Sequence, residues 1–341
     1  MKKAEILKKC REFNNSNDFL YYLIHREPGD IYAVILANSN YLYRNDADQF
    51  FGTCIYVSEN NISDEMGSAF PVRKRLLGIP MVKICERTDS QGVHSLTNPE
   101  VSALPFRYRI DADPRFYSPF IPAYTCFNCE DVIDIIEPKT ALTNLYRRNG
   151  DFRSFLSALT DRFDLRPEQI GITGSAALGA ETCGDYDIVF YGDPDELHRI
   201  SGIVAGINRK QGTPKVGGLP LPFRMIFQDR IADVVYVCDP QPLDGIHSAR
   251  QIKTDVAFSC RVTDDTFSLQ AQPFLTVDGE DFSSLLIADS FLHAVLKKGD
   301  VIEGGGDLLR WEHNGKSENI MLCKNPPAQL KHYLRYFYRY E

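Results

Sequence analysis

Ile170-Gly171-Ile172-Thr173-Gly174-Ser175-Ala176-Ala177-Leu178-Gly179, followed by Asp185-Tyr186-Asp187-Ile188-Val189-Phe190-Tyr191, is the stretch on which the fold turns. A short apolar run ends in Gly-Ser, and a second begins with two carboxylates one residue apart. Every second side chain of a strand points to the same face, so Asp185 and Asp187 project together and can share metal ions. Glycine lets backbone N–H groups approach a phosphate closely. The Ser175 hydroxyl adds a donor beside a turn that opens a helix.

The flanking sequence extends this pattern in both directions. Upstream, Asp131-Val132-Ile133-Asp134-Ile135-Ile136 reads as a strand, and Pro138 begins a helix running to Arg148. Phe152, Phe155, Leu156, Leu159 and Phe163 recur at helical spacing, so 151–164 reads as an amphipathic helix that Pro167 ends. Downstream, Asp193, Pro194 and Glu196 form a capping-box-like helix start. Leu197, Ile200, Ile203, Val204 and Ile207 make its apolar stripe. A Gly/Pro-rich loop over 210–222 carries Lys215, and the strand 231–237 carries Asp233 among apolar residues.

Gly174-Ser175 with Asp185 and Asp187, nine residues lying between the two elements, resembles the signature of the DNA polymerase β-like nucleotidyltransferase superfamily. Gly184 stands where many relatives have serine. The resemblance covers residues 138–240 and implies an α+β fold with a mixed sheet and helices as its core. It implies that Gly174 and Ser175 hold a nucleoside triphosphate and that Asp185 and Asp187 bind divalent cations. The family also needs a third carboxylate on a later strand. Asp233 is the candidate and Asp229 the competitor; Asp233 is favoured because a turn residue usually serves turn chemistry, whereas a charge in a buried strand needs a metal or partner. The implied chemistry is in-line displacement at the α-phosphorus with two Mg²⁺ ions, or Mn²⁺ in their place, about 3.5–4 Å apart. Asp233 would bind the ion that activates the acceptor hydroxyl. The chain from Arg261 to Asp300, taken with the Gly-Ser core, is similar to uncharacterised, largely archaeal, nucleotidyltransferase-domain proteins.

Three domains are expected: a β-rich 1–130, a nucleotidyltransferase-like catalytic 131–250, and a small β-rich 251–341 ending in a helix. In the first, Tyr21-Tyr22-Leu23-Ile24-His25 and Ile31-Tyr32-Ala33-Val34-Ile35-Leu36 flank a Pro28-Gly29 turn signal and read as a hairpin. Residues 54–57 and 81–85 are further strand candidates. Arg73-Lys74-Arg75, Arg107 and Arg109 read as solvated or salt-bridged faces, and 105–122 as an ordered connector. In the last domain, 256–262, 274–277 and 300–302 read as strands broken by Asp264-Asp265, Asp278-Gly279 and Gly304-Gly305-Gly306, which suggests a small barrel or sandwich. In the tail, Tyr333, Phe337 and Tyr340 sit at helical spacing.

The 341 residues are 43% hydrophobic and 25% charged with a formal net charge of -8, an ordinary globular composition. That charge argues against bulk electrostatic attraction to long nucleic acid or anionic membranes. No run approaches the length of a membrane span, so a cytoplasmic protein is expected. Nine scattered cysteines, an odd count, fit reduced thiols; Cys126 and Cys129 alone stand at C-x-x-C spacing, without the further ligands a structural zinc needs. His198 and His293 read as packed surface histidines.

The expected activity is transfer of a nucleoside monophosphate from an NTP donor to an unidentified hydroxyl acceptor: RNA, a protein or a small molecule. Two alternatives stay open. One is a catalytically silent nucleotide-binding protein. The other is an RNA-binding protein that uses the β modules and the basic-aromatic tail, in which Lys331, Arg335 and Arg339 alternate with Tyr and Phe.

Overall fold

A computed structural model of the chain describes residues 3–13, 20–27, 29–37, 49–90, 92–96, 100–101, 103–109, 125–212, 215–216, 219–220, 222–239, 246–288, 293–313, 315–323 and 334–337. The fold is mixed α+β, and the chain divides into two compact units. The first comprises 1–141 and 173–183; the second comprises 142–172 and 184–341.

In the first unit the strands are β1 Tyr21–Arg26, β2 Ile31–Ala37, β3 Gln49–Ser58, β4 Arg73–Leu76, β5 Ile79–Lys83, β6 Glu86–Asp89, β7 Gly92–Ser95, β8 Thr125–Asn128 and β9 Val132–Ile136. Seven of them form a sheet ordered β4-β5-β3-β2-β1-β9, with β8 also on β3, while β6 and β7 pair separately. The β1–β2 hairpin is in register from Tyr21↔Leu36 to Arg26↔Ile31. Its turn uses Gly29 and Asp30, both at positive φ. Pro28 lies outside the described residues, as do 110–122 of the connector.

Alternation along β1 explains why all of Tyr21, Tyr22, Leu23 and Ile24 are apolar or aromatic. Tyr22 and Ile24 point into one core with Ile6 and Cys10 of the Lys3–Phe13 helix. Tyr21 and Leu23 point into another, with Val34, Tyr56, Leu76, Met81 and Leu178. Both faces of the sheet therefore carry an apolar cluster, and Leu178 and Ala180, which follow Gly174 in sequence, join the second. β9, expected to open the catalytic domain, pairs with β1 (Tyr21↔Ile136) and completes this sheet instead.

The second unit contains β10 Ile170–Thr173 (Thr173 itself clusters with the first), β11 Asp185–Gly192, β14 Arg224–Phe227 and β15 Arg230–Cys238, in the order β10-β11-β15-β14. β11 and β15 run parallel and β14 antiparallel to β15, so the sheet is mixed. The short pair β12 Lys215–Val216 and β13 Leu219–Pro220 precedes β14. The helix Pro138–Arg148, whose first four residues cluster with the first unit, is followed by Gly150–Phe163, N-capped where the Phe152 N–H donates to Asn149 Oδ1 at 3.0 Å. That second helix stops at Asp164, a left-handed residue (φ 50), before Pro167 is reached. Its Phe152 and Phe155 pack on Tyr186 with centroids 5.0 and 4.9 Å apart, and Phe163 lies 5.4 Å from Phe190. Asp193 caps the helix Pro194–Gln211, which buries Leu197, Ile200, Val204 and Ile207 and leaves Ile203 half-buried.

The remaining strands are β16 Ile246–Phe267, β17 Phe274–Asp278, β18 Ser284–Ile287, β19 Val301–His313, β20 Lys316–Cys323 and β21 Leu334–Phe337. β16 pairs β17, β17 pairs β18, β18 pairs β20 in parallel, β20 pairs β19, and β19 returns to β16. Five strands thus close a ring around Val262, Leu275, Leu285, Ile302, Leu308 and Met321. Asp264-Asp265 and Gly304-Gly305-Gly306 lie within β16 and β19 rather than breaking them. Leu334–Phe337, placed in a helix on spacing, is a strand on the edge of β19, where aromatic residues are at home; 331–333 and 338–341 lie outside the described residues.

Candidate active site

Alternation on β11 separates two chemistries. Tyr186, Ile188 and Phe190 are buried, with Tyr186 and Phe190 against the phenylalanine-bearing helix, so Asp185 and Asp187 point to the opposite face. On β15 the same period buries Ala232, Val234 and Tyr236 and turns Asp233 to the carboxylate face. The parallel register places Asp187 beside Asp233 and Asp185 beside Ile231. Asp229 is exposed at φ 58 in the two-residue turn between Phe227 and Arg230, with Gln228 at φ 48. Both turn positions being left-handed is the geometry of a tight hairpin, and Asp tolerates it better than most residues. Asp233, not Asp229, is therefore the carboxylate facing Asp187.

A residue that sequence reasoning missed sits among these carboxylates. Arg224 on β14 is the antiparallel neighbour of Asp233. Its Nε and Nη2 donate to the two Asp233 carboxylate oxygens, a bidentate pair, and Nη2 lies 3.7 Å from Asp185 Oδ2. The side chains of Arg224 and Asp233 are 22% and 16% exposed, so water screens this pair only in part. The hydrogen bond to Asp233, then the charges of Asp233, Asp185 and Asp187, raise the Arg224 guanidinium above its ordinary range against the opposing effect of burial. Asp233 and Asp185 thus share one cation, and Asp187 adds its charge to the same neighbourhood. The available signal was Arg224 standing nine residues before Asp233 across a two-residue turn, which makes the two cross-strand neighbours.

Oxygen-only donors of this kind suit a hard divalent cation. Asp185 and Asp187 fit that role directly. Asp233 fits it if one guanidinium contact yields, because both its oxygens already accept from Arg224. Among the described residues no group of three or more His, Cys, Asp or Glu side chains is arranged as a metal-binding cluster.

Gly174 and Ser175 belong to the first unit. Gly174 adopts φ 65, a left-handed conformation that explains the glycine. Its N–H donates to the Tyr21 hydroxyl at 3.0 Å. Ser175 and Thr173 are buried, and the Thr173 hydroxyl has no hydrogen-bond partner among the described residues.

The other sequence candidates take structural places. His293 is buried, stacks on Phe223 at 4.3 Å, and has Nε2 3.0 Å from the Val234 carbonyl, which fixes the proton on that nitrogen. His198 Nε2 likewise meets the Thr266 carbonyl at 3.0 Å. Arg73 pairs with Glu59 at 2.9 Å, and Arg107 reaches Asp64 at 3.8 Å. None of the nine cysteines forms a disulfide. Cys126 donates to Gln49 Oε1 at 3.3 Å, whereas Cys129 bonds Cys10 and holds the Cys10 thiol below its ordinary value. The C-x-x-C pair thus has separate partners.

No family model, no curated protein and no solved structure matches the chain. Among the described residues, no helix is long and apolar enough to cross a membrane.

Proposed function

We propose that the protein is a metal-dependent nucleotidyltransferase with a polymerase β-like core, moving a nucleoside monophosphate from an NTP to a hydroxyl acceptor. The observation that carries this reading is the placement of Asp187 beside Asp233 on parallel strands, with Asp185 two residues earlier on the same face. In it, Asp185, Asp187 and Asp233 hold Mg²⁺, and Gly174 and Ser175 hold the triphosphate. When bound, the cations supply neutralisation of the triphosphate and activation of the attacking hydroxyl. The chain's own contribution is to fix three oxygen donors on rigid strands and to offset part of their charge with Arg224.

Thermal unfolding with each of the four ribonucleoside triphosphates, with and without Mg²⁺, tests the reading. A nucleotide at about 100 times its Kd stabilises the fold by about 2.7 kcal/mol. A Mg²⁺-dependent shift is expected for the wild type and none for Asp185→Asn/Asp187→Asn. Transfer of label from the α-labelled nucleotide then separates an enzyme from a silent binder. No shift with any nucleotide would sink the proposal.

One observation favours the RNA-binding alternative. The closed five-stranded ring β16-β17-β18-β20-β19 is the architecture used by barrels that bind oligonucleotides, and Arg250 and Lys253 are exposed on β16. Salt-dependent binding of single-stranded RNA by the whole chain, undiminished in Asp185→Asn/Asp187→Asn, would support it.

A further inference from the structure

We infer that Tyr21 is a positioning residue for the phosphate-binding turn, and that the N-terminal sheet exists to hold this turn rather than to form a separate recognition module. The inference rests on the nucleotide reading of Gly174 and Ser175 given above.

The short helix Gly174–Ala177 is gripped at both ends by residues far away in sequence, one on a strand and one in a hairpin turn. At its start, the Gly174 N–H donates to the Tyr21 hydroxyl, a bond spanning 153 positions. At its end, the Leu178 carbonyl accepts from the Leu77 N–H at 2.8 Å. Leu77 and Gly78 form the turn between β4 and β5, and both have positive φ (52 and 79). A leucine in the left-handed region is costly, so something must hold it there. Here the bond to Leu178 and the shared apolar cluster do so. Tyr21, Leu76, Met81 and the fully buried Leu178 belong to that cluster, with Leu77 and Ala180 packed against it.

The Tyr21 bond has a chemical consequence. It uses the backbone donor of Gly174 to fix the turn, so in the nucleotide reading Gly174 contributes the left-handed backbone that shapes the turn and the donor to a phosphate oxygen is Ser175. The adjoining Thr173 hydroxyl, buried without a partner among the described residues, is a second group that a polar ligand at the turn would satisfy. A turn held by one phenol and one hairpin amide keeps its geometry before the ligand arrives, and affinity gains from that preorganisation.

Tyr21→Phe keeps the ring in the cluster and removes only the hydroxyl. Two readouts on the full chain separate the claims. Amide exchange over 173–180, without nucleotide, should accelerate in Tyr21→Phe while β1, β2 and β3 keep their protection. Equilibrium binding of each ribonucleoside triphosphate with Mg²⁺ should weaken for the one that the wild type binds, through lost preorganisation and by at most roughly five- to tenfold, the worth of one hydrogen bond. Unchanged exchange, or unchanged or tighter nucleotide binding, would overturn the role of Tyr21. A wild type that binds none of the four, with exchange accelerated as expected, would remove the nucleotide reading and leave Tyr21 as a fastener of the turn alone. If Tyr21→Phe loses protection throughout the sheet, Leu77→Gly provides the second variant: it strips the leucine side chain from the cluster that holds the turn, and should accelerate exchange over 173–180 and weaken nucleotide binding, whereas no change in either would overturn the inference.

Discussion

Arg224 is the residue whose replacement says most about the carboxylate face. Arg224→Gln removes the guanidinium that Asp233 and Asp185 share, and a largely buried carboxylate deprived of its charged donor costs about 1–3 kcal/mol. The variant should therefore melt below the wild type in the absence of divalent ions. Mg²⁺ should raise its melting temperature more than that of the wild type, because a bound cation then replaces the lost guanidinium. An equal Mg²⁺ response in the two proteins would count against cation binding at Asp233. Glu196 gives a second test at this scale. The hydrogen bond from Arg199, helped by one from Gln169, holds its carboxyl at about 2 against an ordinary value of 4.5. A depressed carboxylate contributes stability above its unfolded value and loses it as pH falls towards the folded one. Denaturation free energy should thus fall between pH 4.5 and 2, and more steeply in the wild type than in Glu196→Gln. Legibility at the residue scale divides along these lines. Asp185 and Asp187 could be placed on one face because strand alternation is strict, whereas Asp233 was a candidate through the resemblance and its apolar flanks, and joins them through the β11–β15 register. Arg224 could not, because an arginine near a Gly/Pro-rich loop shows its partner only when the hairpin register is known.

Helices and strands whose signals are local follow the sequence closely. Asn149 caps Gly150–Phe163, and Asn149→Ala should cost about 1 kcal/mol in chemical denaturation, with no effect on nucleotide binding. The glycine run 304–306 was misread because glycine usually breaks strands, and the reason it does not lies in β20. A Cβ on Gly306 would come within 2.5 Å of the Leu322 carbonyl oxygen and 3.0 Å of Met321 Sδ, so glycine here permits close passage of two backbones. Gly306→Ala should destabilise the barrel by about 1–3 kcal/mol, read as a lower midpoint in urea. The tail was misread for a related reason: Tyr333, Phe337 and Tyr340 fit a helical stripe, but a free edge of β19 offers backbone bonds that periodicity does not reveal.

For the whole molecule, composition excluded little, and the division at residue 130 rested on a change of pattern. The compact units do not follow a linear division: 173–183 belongs with 1–141, although 142–172 lies between them. Such an arrangement cannot be read from local signals, because Tyr21 and Leu178 share a cluster without sharing a neighbourhood in sequence. A fragment beginning at residue 131 should consequently expose Leu178 and Ala180 and leave Gly174 without its phenol. Limited proteolysis should cut it within 173–183, where the full chain resists. Survival of that segment in the fragment would show that the N-terminal sheet is dispensable to the turn.

The same discontinuity orders events on the ribosome. Tyr21 leaves the tunnel 153 positions ahead of its partner Gly174, which at a synthesis rate of about 5–20 residues per second is a wait of roughly 8 to 30 seconds. Through that interval one apolar cluster of the nascent sheet lacks Leu178 and Ala180, and for much of it β1 awaits β9 as well. The N-terminal segment is thus a candidate client for chaperones during translation, and its burden ends only when Leu178 has emerged.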